Sequence, residues 1–125
     1  MQFPEQLKYT KDHEWVSTDG DIAMIGITEF AQGELGDIVF VDVSGVNRQM
    51  SRHDTFGSIE AVKTVSDLFL PVSGEIIEIN AQLTDHPELI NSDPYGKGWI
   101  IRVKMQDPKE VEELMSAEAY SSLVN

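Results

Sequence analysis

The chain has 125 residues, of which 41% are hydrophobic and 25% are charged, and this composition predicts one folded domain covering residues 1–125. The formal net charge of −13 disfavours nucleic acid and anionic membrane surfaces as partners. The absence of cysteine excludes thiolate metal sites and cysteine nucleophiles, so any sulfur redox chemistry must come from an attached cofactor. The first residues lack the pattern of a secretory signal, which favours a cytoplasmic location and leaves a mature mitochondrial form open.

The first half of the chain predicts strands interrupted by one short helix. Residues 15–27 form two extended runs around Asp19-Gly20, a dipeptide that favours a tight hairpin turn. Thr28 is suited to cap a helix over residues 29–35, which Gly36 then ends. The β-branched run at residues 37–43 predicts a further strand, and the polar residues 45–54 predict a loop.

The second half continues with three extended runs at residues 55–61, 65–70 and 74–79, then a turn at residues 93–98 and a strand at residues 99–103. A C-terminal helix is predicted to begin at Asp107 as N-cap, with Pro108 in the first helical position and Glu110 reaching back to the cap. An apolar stripe of Val111, Leu114 and Met115 would pack this helix on the sheet.

Two hexapeptides share a pattern of glycine, acid, isoleucine, aliphatic, variable and aliphatic residues. They cover residues 36–41 and 74–79. The pattern fits a duplicated sheet motif, but common strand residues also produce it by chance, so both interpretations stay open.

Lys63 lies in a predicted hairpin tip and is the only Lys or Arg between Arg52 and Lys97. Most such lysines are solvated surface residues. An acylating enzyme, however, needs an amine that projects from a rigid turn, and Lys63 meets that need. The flanking acids Glu60 and Asp67 are candidates for recognition by a ligase or partner, with ordinary turn polarity as the alternative.

The segment around Lys63, Glu-Ala-Val-Lys-Thr-Val-Ser-Asp at residues 60–67, resembles the lipoylation segment of glycine cleavage H proteins. Further matches extend the resemblance to about residues 7–120 and include Leu-Lys-Tyr at 7–9, His-Glu-Trp-Val at 13–16, Leu-Gly-Asp-Ile-Val-Phe-Val at 35–41, Pro-Val-Ser-Gly-Glu at 71–75 and Leu-Ile-Asn at 89–91. Val62 precedes the lysine, whereas lipoyl domains of 2-oxoacid dehydrogenases carry Asp there, and the methionines that flank a biotinylated lysine are absent. Thr64 departs from the Ala that is common in the family.

The resemblance implies a mainly β, lipoyl-domain-like fold: a flattened sandwich or barrel of two small sheets, with a short helix near residues 28–35 and a C-terminal helix. It also implies a carrier without catalytic activity of its own, with lipoate bound covalently to Lys63. Such a carrier takes an aminomethyl group from glycine decarboxylase, a pyridoxal-phosphate enzyme, to a folate-dependent aminomethyltransferase. It then takes the dithiol to dihydrolipoyl dehydrogenase.

The resemblance further implies roles for four residues beside Lys63. Glu60, Val62 and Asp67 would serve recognition by lipoyl-attaching enzymes, which add lipoate directly or through an octanoyl precursor. Glu14 and Asp67 would line a cleft that shields the loaded arm, unless both acids merely solvate the surface.

Other functions remain as alternatives. The chain could relay lipoate to other proteins, or Lys63 could form a Schiff base in an enzyme with Glu60 or Asp67 as proton-transfer partner. A Schiff-base lysine needs a desolvated pocket, however, and an acidic turn favours the charged amine. Histidines 13, 53 and 86 lack metal-ligand spacing, so no metal site is expected.

Overall fold

The computed structural model describes all residues from Met1 to Asn125 and contains nine strands, four α-helices and one 3-10 helix. The strands are β1 (Lys8–Tyr9), β2 (Glu14–Asp19), β3 (Ile22–Ile27), β4 (Ile38–Val43), β5 (Gln49–Met50), β6 (Thr55–Ala61), β7 (Val65–Phe69), β8 (Gly74–Ile79) and β9 (Ile101–Met105). The helices are α1 (Glu29–Leu35), α2 (Gln82–Asp85), α3 (Leu89–Ser92), the 3-10 helix (Pro108–Glu113) and α4 (Ala117–Val124). None of the helices is long and apolar enough to cross a membrane.

The strands form two sheets, as the family resemblance implies. The larger has six strands in the order β1-β2-β3-β9-β8-β5, and the smaller has three in the order β4-β6-β7. All pairings between named strands are antiparallel. A core of 17 buried residues joins the two, with Ile25, Ile76 and Val103 from the larger sheet and Ile38 and Ile59 from the smaller. The mainly β fold class is therefore confirmed.

The predicted hairpin of β2 and β3 and the predicted helix α1 are confirmed. Gly20 turns the hairpin with a φ of 63°, a conformation that favours glycine. The Thr28 side chain caps α1 by accepting a hydrogen bond from the Ala31 N–H, and Gly36 ends the helix with a φ of 82°. These two ends fix the path of the chain from the larger sheet to β4 in the smaller one.

The two similar hexapeptides form strands β4 and β8, which belong to different sheets. In each strand the register shifts at the fourth residue of the shared pattern: the pairing skips Val39 in β4 and Ile77 in β8. Both skipped residues are exposed. The shared sequence pattern thus coincides with a bulge at the same position of each strand.

The C-terminal helix exists but does not begin at Asp107 as expected. Asp107 caps only the 3-10 helix, and the chain becomes extended at Leu114, since Met115 exchanges backbone hydrogen bonds of 2.8 Å with Tyr9. Ser116 then caps α4. The expected backward reach of Glu110 is also wrong: its carboxylate accepts hydrogen bonds from the Ser73 N–H and hydroxyl instead. Pairing with distant residues therefore overrides the local helix signal.

A buried aromatic side chain, Tyr120, attaches α4 to the rest of the fold. Its ring stacks on Tyr9 with centroids 4.9 Å apart, and its hydroxyl lies 2.9 Å from His13 Nδ1 and 2.7 Å from Thr28 Oγ1. Burial lowers the pKa of His13 and so favours the neutral ring, which can share one hydrogen bond with the tyrosine hydroxyl. Thr28, which also accepts from the Ala31 N–H, shares a second hydrogen bond with the Tyr120 hydroxyl. One hydroxyl thus links α4, α1 and the turn before β2.

Replacement of Tyr120 by Phe tests this link. The ring stacking survives, but the His13 nitrogen and the Thr28 hydroxyl lose their partner, so we expect the free energy of unfolding to fall by about 1–3 kcal/mol. Urea denaturation of the wild type and of Tyr120→Phe measures the change. Equal stability of the two proteins would show that the link contributes nothing.

Candidate functional site

Lys63 lies at the tip of the β6–β7 hairpin, where sequence reasoning placed it, and its side chain is exposed. The Ala61 N–H donates to the Thr64 carbonyl at 2.7 Å, which closes the turn around Val62 and Lys63. The Val62 N–H donates to the Asp37 carbonyl at 3.0 Å, which ties the turn to the residue before β4. The lysine therefore projects from a turn that is held from both sides.

The side chain of Lys63 lies over Gly36, the residue that ends α1. A Cβ atom added at Gly36 would stand 3.3 Å from Lys63 Cε and 3.8 Å from Nζ. The lysine amine takes part in none of the ion pairs of the structure, which join Arg52 to Glu113, His86 to Glu88 and Arg102 to Glu78. The amine is therefore not held by a carboxylate.

The three residues predicted to serve recognition all lie on the Lys63 hairpin. Val62 is 76% exposed beside the lysine. Glu60 pairs with Val65, and Asp67 pairs with Ser58, so both acids project from the outer face of the smaller sheet. Ile59, between Ser58 and Glu60 in sequence, faces the core and is fully buried. Glu60 and Asp67 thus share one solvent-facing surface with the lysine at its end.

Glu14, by contrast, is 2% exposed, so the alternative that it merely solvates the surface is wrong for this residue. Its Oε2 accepts from the Phe69 N–H at 2.9 Å and its Oε1 accepts from the Thr10 hydroxyl at 3.3 Å. Burial raises the pKa of Glu14 to about 8, although these two hydrogen bonds oppose the shift, and the nearby charge of Asp12 adds to it. The carboxyl connects the start of β2 to the end of β7.

A pocket of about 400 Å³ opens beside Glu14. Its lining includes Thr10, Asp12, Arg52 and Leu70, but not Asp67. Asp67 stands two residues before Phe69 on β7, a separation of about 7 Å along the strand. Asp67 therefore lies on β7 between the Lys63 turn and Phe69, whose N–H bonds Glu14 of β2 at the pocket.

Sequence reasoning missed Asp12 and Arg52 as pocket residues. Arg52 lines the pocket, and its guanidinium pairs with Glu113 of the 3-10 helix at 3.3 Å. The backbone N–H of Arg52 donates to the Ser73 hydroxyl. No local pattern connects residue 52 with residue 113. Asp12 lies two residues before Glu14. The only sequence signal for it is this closeness to an acid that was already a candidate.

The exposed position of Lys63 argues against a Schiff-base enzyme, because nothing desolvates the amine. The described pocket is not lined by Lys63, and Glu60 and Asp67 are exposed. No group of three or more His, Cys, Asp or Glu side chains is arranged to hold a metal ion. The fold and the site together define a β-sandwich carrier domain that presents one lysine at a hairpin tip.

Comparisons with known proteins specify the kind of carrier. The model of the glycine cleavage H-protein family matches residues 7–125. The chain is 55% identical over 125 residues to the glycine cleavage system H protein of Bacteroides thetaiotaomicron, covering 100% of this chain and 99% of that protein. It is 53% identical over 124 residues to the H protein of Staphylococcus saprophyticus, covering 99% and 98%. It also resembles the crystal structure of the Mycobacterium marinum H protein, with a TM-score of 0.89 and 39% identity over 98% of both chains.

With this agreement over almost every residue, the chain belongs to the glycine cleavage H-protein family. It is the lipoyl-carrying shuttle of the glycine cleavage system, a carrier subunit without catalytic activity of its own. The family assignment and the carrier function expected from the sequence are confirmed.

The buried Glu14 makes stability depend on pH. The carboxyl keeps its proton in the folded state up to about pH 8, whereas its ordinary pKa is 4.5, so the folded state binds more protons between these values. Raising the pH therefore favours unfolding. We expect the free energy of unfolding of the wild type to fall relative to that of Glu14→Gln between pH 5 and pH 8, by up to about 1.4 kcal/mol per pH unit.

Urea denaturation at several pH values measures this difference, and Glu60→Gln, an exposed carboxylate on β6, is the matched control. The titration of His13 affects all three proteins alike and cancels in the comparison. Parallel stability profiles of wild type and Glu14→Gln would contradict the assignment.

Proposed function

We propose that Lys63 carries lipoate as an amide on its side-chain nitrogen, and that Glu60, Val62 and Asp67 are read by the attaching enzyme. The observation that carries the proposal is the exposed, unpaired amine of Lys63 at a turn that hydrogen bonds hold in place. Amide formation needs the neutral amine to attack an activated lipoyl carbonyl carbon, with departure of the activating group and loss of one proton from nitrogen. An amine free of ion pairs is suited to that attack.

Lipoate, when bound, supplies a strained cyclic disulfide that accepts the aminomethyl cargo and two electrons. The chain supplies the tether and the docking surfaces. A tether of this length keeps the reactive end at a concentration of the order of millimolar near a docked active site. The partners that we propose are glycine decarboxylase, the aminomethyltransferase, dihydrolipoyl dehydrogenase and the lipoyl-attaching enzymes. The cytoplasmic location and the single-domain organisation of residues 1–125 stay predictions.

Replacement of Lys63 by Arg tests the attachment site. Arginine keeps the charge but lacks the acylatable amine, so we expect Lys63→Arg to fold normally, to gain no lipoyl mass and to lose support of glycine decarboxylation. Intact mass after reaction with the attaching enzyme measures the modification, and Lys97→Arg, an exposed lysine remote in sequence, is the control. A lipoyl increment on Lys63→Arg would place the attachment elsewhere.

We further propose that the loaded arm folds back along the outer edge of β7 to Glu14. The backbone N–H of Phe69 donates to Glu14 from this edge of β7. Backbone groups of every second residue point to the same side of a strand, so those of Val65 and Asp67 face this edge too. From Val65 to Phe69 the strand covers about 13 Å. A lipoyl-lysine arm of about twelve bonds, at about 1.2 Å per bond, reaches about 14 Å. The arm starts at Lys63, two residues before Val65, so its end reaches along most of the strand toward Phe69 and Glu14.

Glu14 and Asp67 would then shield a cationic aminomethyl cargo. The cargo decays when its nitrogen lone pair expels the sulfur, and a carboxylate that keeps the nitrogen protonated blocks this route. The arriving cation also favours ionisation of Glu14, whose pKa burial has raised. Because Glu14 lines the pocket and Asp67 lies outside it, Glu14 should contribute more.

Release of ammonia and formaldehyde from loaded protein, without the folate enzyme, tests the shielding near neutral pH. We expect Glu14→Ala to accelerate release by about tenfold, equivalent to about 1.4 kcal/mol, and Asp67→Ala to accelerate it less. Asp42→Ala is the control, because Asp42 lies in the same cross-strand row as Asp67 but on the far strand β4. Glu14→Gln separates the loss of charge from the loss of packing. Equal release rates in all variants would remove the shielding role.

A further inference from the structure

The outer face of the smaller sheet carries a row of exposed side chains next to Lys63, two of them apolar. Phe40 of β4 pairs with Glu60 of β6, which pairs with Val65 of β7, so the three side chains stand side by side on one face. Phe40 is 55% exposed and Val65 is 62% exposed. Val62 continues the row at the hairpin tip. A large aromatic side chain in such a position is costly to leave in water, and several exposed apolar side chains on one face beside a reactive residue mark an interaction site.

The same face is acidic and has no opposing charge. The next row of cross-strand partners is Asp42, Ser58 and Asp67. Strands β4, β6 and β7 contain no Lys, Arg or His, so Lys63 in the turn is the only cation of this hairpin. Two exposed apolar side chains interspersed with three carboxylates are complementary to a surface that has apolar recesses among Lys and Arg side chains.

We propose that this surface, the Phe40 face (Phe40, Asp42, Glu60, Val65 and Asp67), is the docking surface for the enzyme that attaches lipoate to Lys63. The partner has an apolar recess for Phe40 and Val65 and basic side chains for the three acids. The inference rests on the proposed function of Lys63 and adds Phe40, Asp42 and Val65 to the residues that the enzyme reads.

The short reach of the Lys63 side chain is the reason for choosing the lipoate-attaching enzyme as the partner. The amine of unmodified Lys63 stands about 6 Å from its own Cα, at about 1.2 Å per bond. Glu60 and Val65 lie two or three residues from Lys63, at about 3.3 Å per residue. An enzyme that binds the bare amine in its active site must therefore cover these neighbours. Enzymes that act on the sulfur atoms at the end of the arm reach their target without touching the sheet.

The rate of lipoyl attachment to unmodified protein, followed by intact mass with the attaching enzyme, lipoate and ATP, tests the proposal. We expect Phe40→Ala to reduce kcat/KM by about tenfold or more, mainly through KM, as for an aromatic anchor. Leu123→Ala is the matched control, because Leu123 on α4 is 53% exposed and lies outside the Phe40 face. Thermal unfolding checks that both variants fold.

Charge supplies a second readout. Asp42→Asn should reduce kcat/KM severalfold at low ionic strength and make it less sensitive to added salt, whereas Glu118→Gln on α4 should change neither. Once lipoylated by prolonged reaction, Phe40→Ala should be reoxidised from its dithiol form by dihydrolipoyl dehydrogenase at the wild-type rate.

Attachment to Phe40→Ala at the wild-type rate would overturn the docking face and leave Lys63 as the carrier residue. An equal loss in Leu123→Ala would overturn it as well. Normal attachment combined with slow reoxidation of Phe40→Ala would assign the face to another partner and refute the proposal. Failure of the wild type to gain the lipoyl mass would refute the attachment site itself. The other outcomes concern only the Phe40 face, so the two failures can be told apart.

Discussion

The presentation of Lys63 depends on the register of β6, the only strand of the smaller sheet with paired neighbours on both sides. Side chains alternate between the two faces of a strand, so a slip by one residue would turn Ile59 outward and Glu60 inward. Ile59 is fully buried in the main core, which makes such a slip costly. The hydrogen bond from Val62 to Asp37 then extends this fixed register into the turn.

Glu14 adds a second constraint, at the opposite end of the same hairpin. A buried carboxyl that accepts from the backbone of β7 holds this edge strand against the start of β2. The arrangement places a titratable group beside a pocket, where a bound cation would favour its ionised form. In the arm position that we propose, this one residue both supports the hairpin and responds to the cargo, which an apolar residue, although cheaper to bury, would not do.

The features that the sequence predicted correctly are local. The Asp19-Gly20 turn, the Thr28 and Gly36 ends of α1, and the isolation of Lys63 each depend on residues that are adjacent along the chain. The features that it did not predict depend on distant pairs. Met115 leaves the helical path because it pairs with Tyr9, and Glu110 turns away from Asp107 toward Ser73.

The same reasoning explains the candidate site. Residues 60–67 are contiguous, so the family motif identifies them, but the backbone hydrogen bond to buried Glu14 comes from Phe69, 55 residues away. The row of Phe40, Glu60 and Val65 likewise exists only after three strands have paired. The family resemblance identified Glu14 as a candidate residue, whereas its burial and its hydrogen bonds are visible only in the structure.

The contact between Lys63 and Gly36 has a consequence for the geometry of the arm. Because Gly36 has no side chain, the aliphatic part of the exposed lysine passes close to the end of α1. In the unmodified protein the first bonds of the side chain therefore head toward the end of α1, next to β4, whereas the arm that we propose along β7 leaves the hairpin on the other side of the smaller sheet. The missing side chain at position 36 gives the base of the arm room for that change of direction.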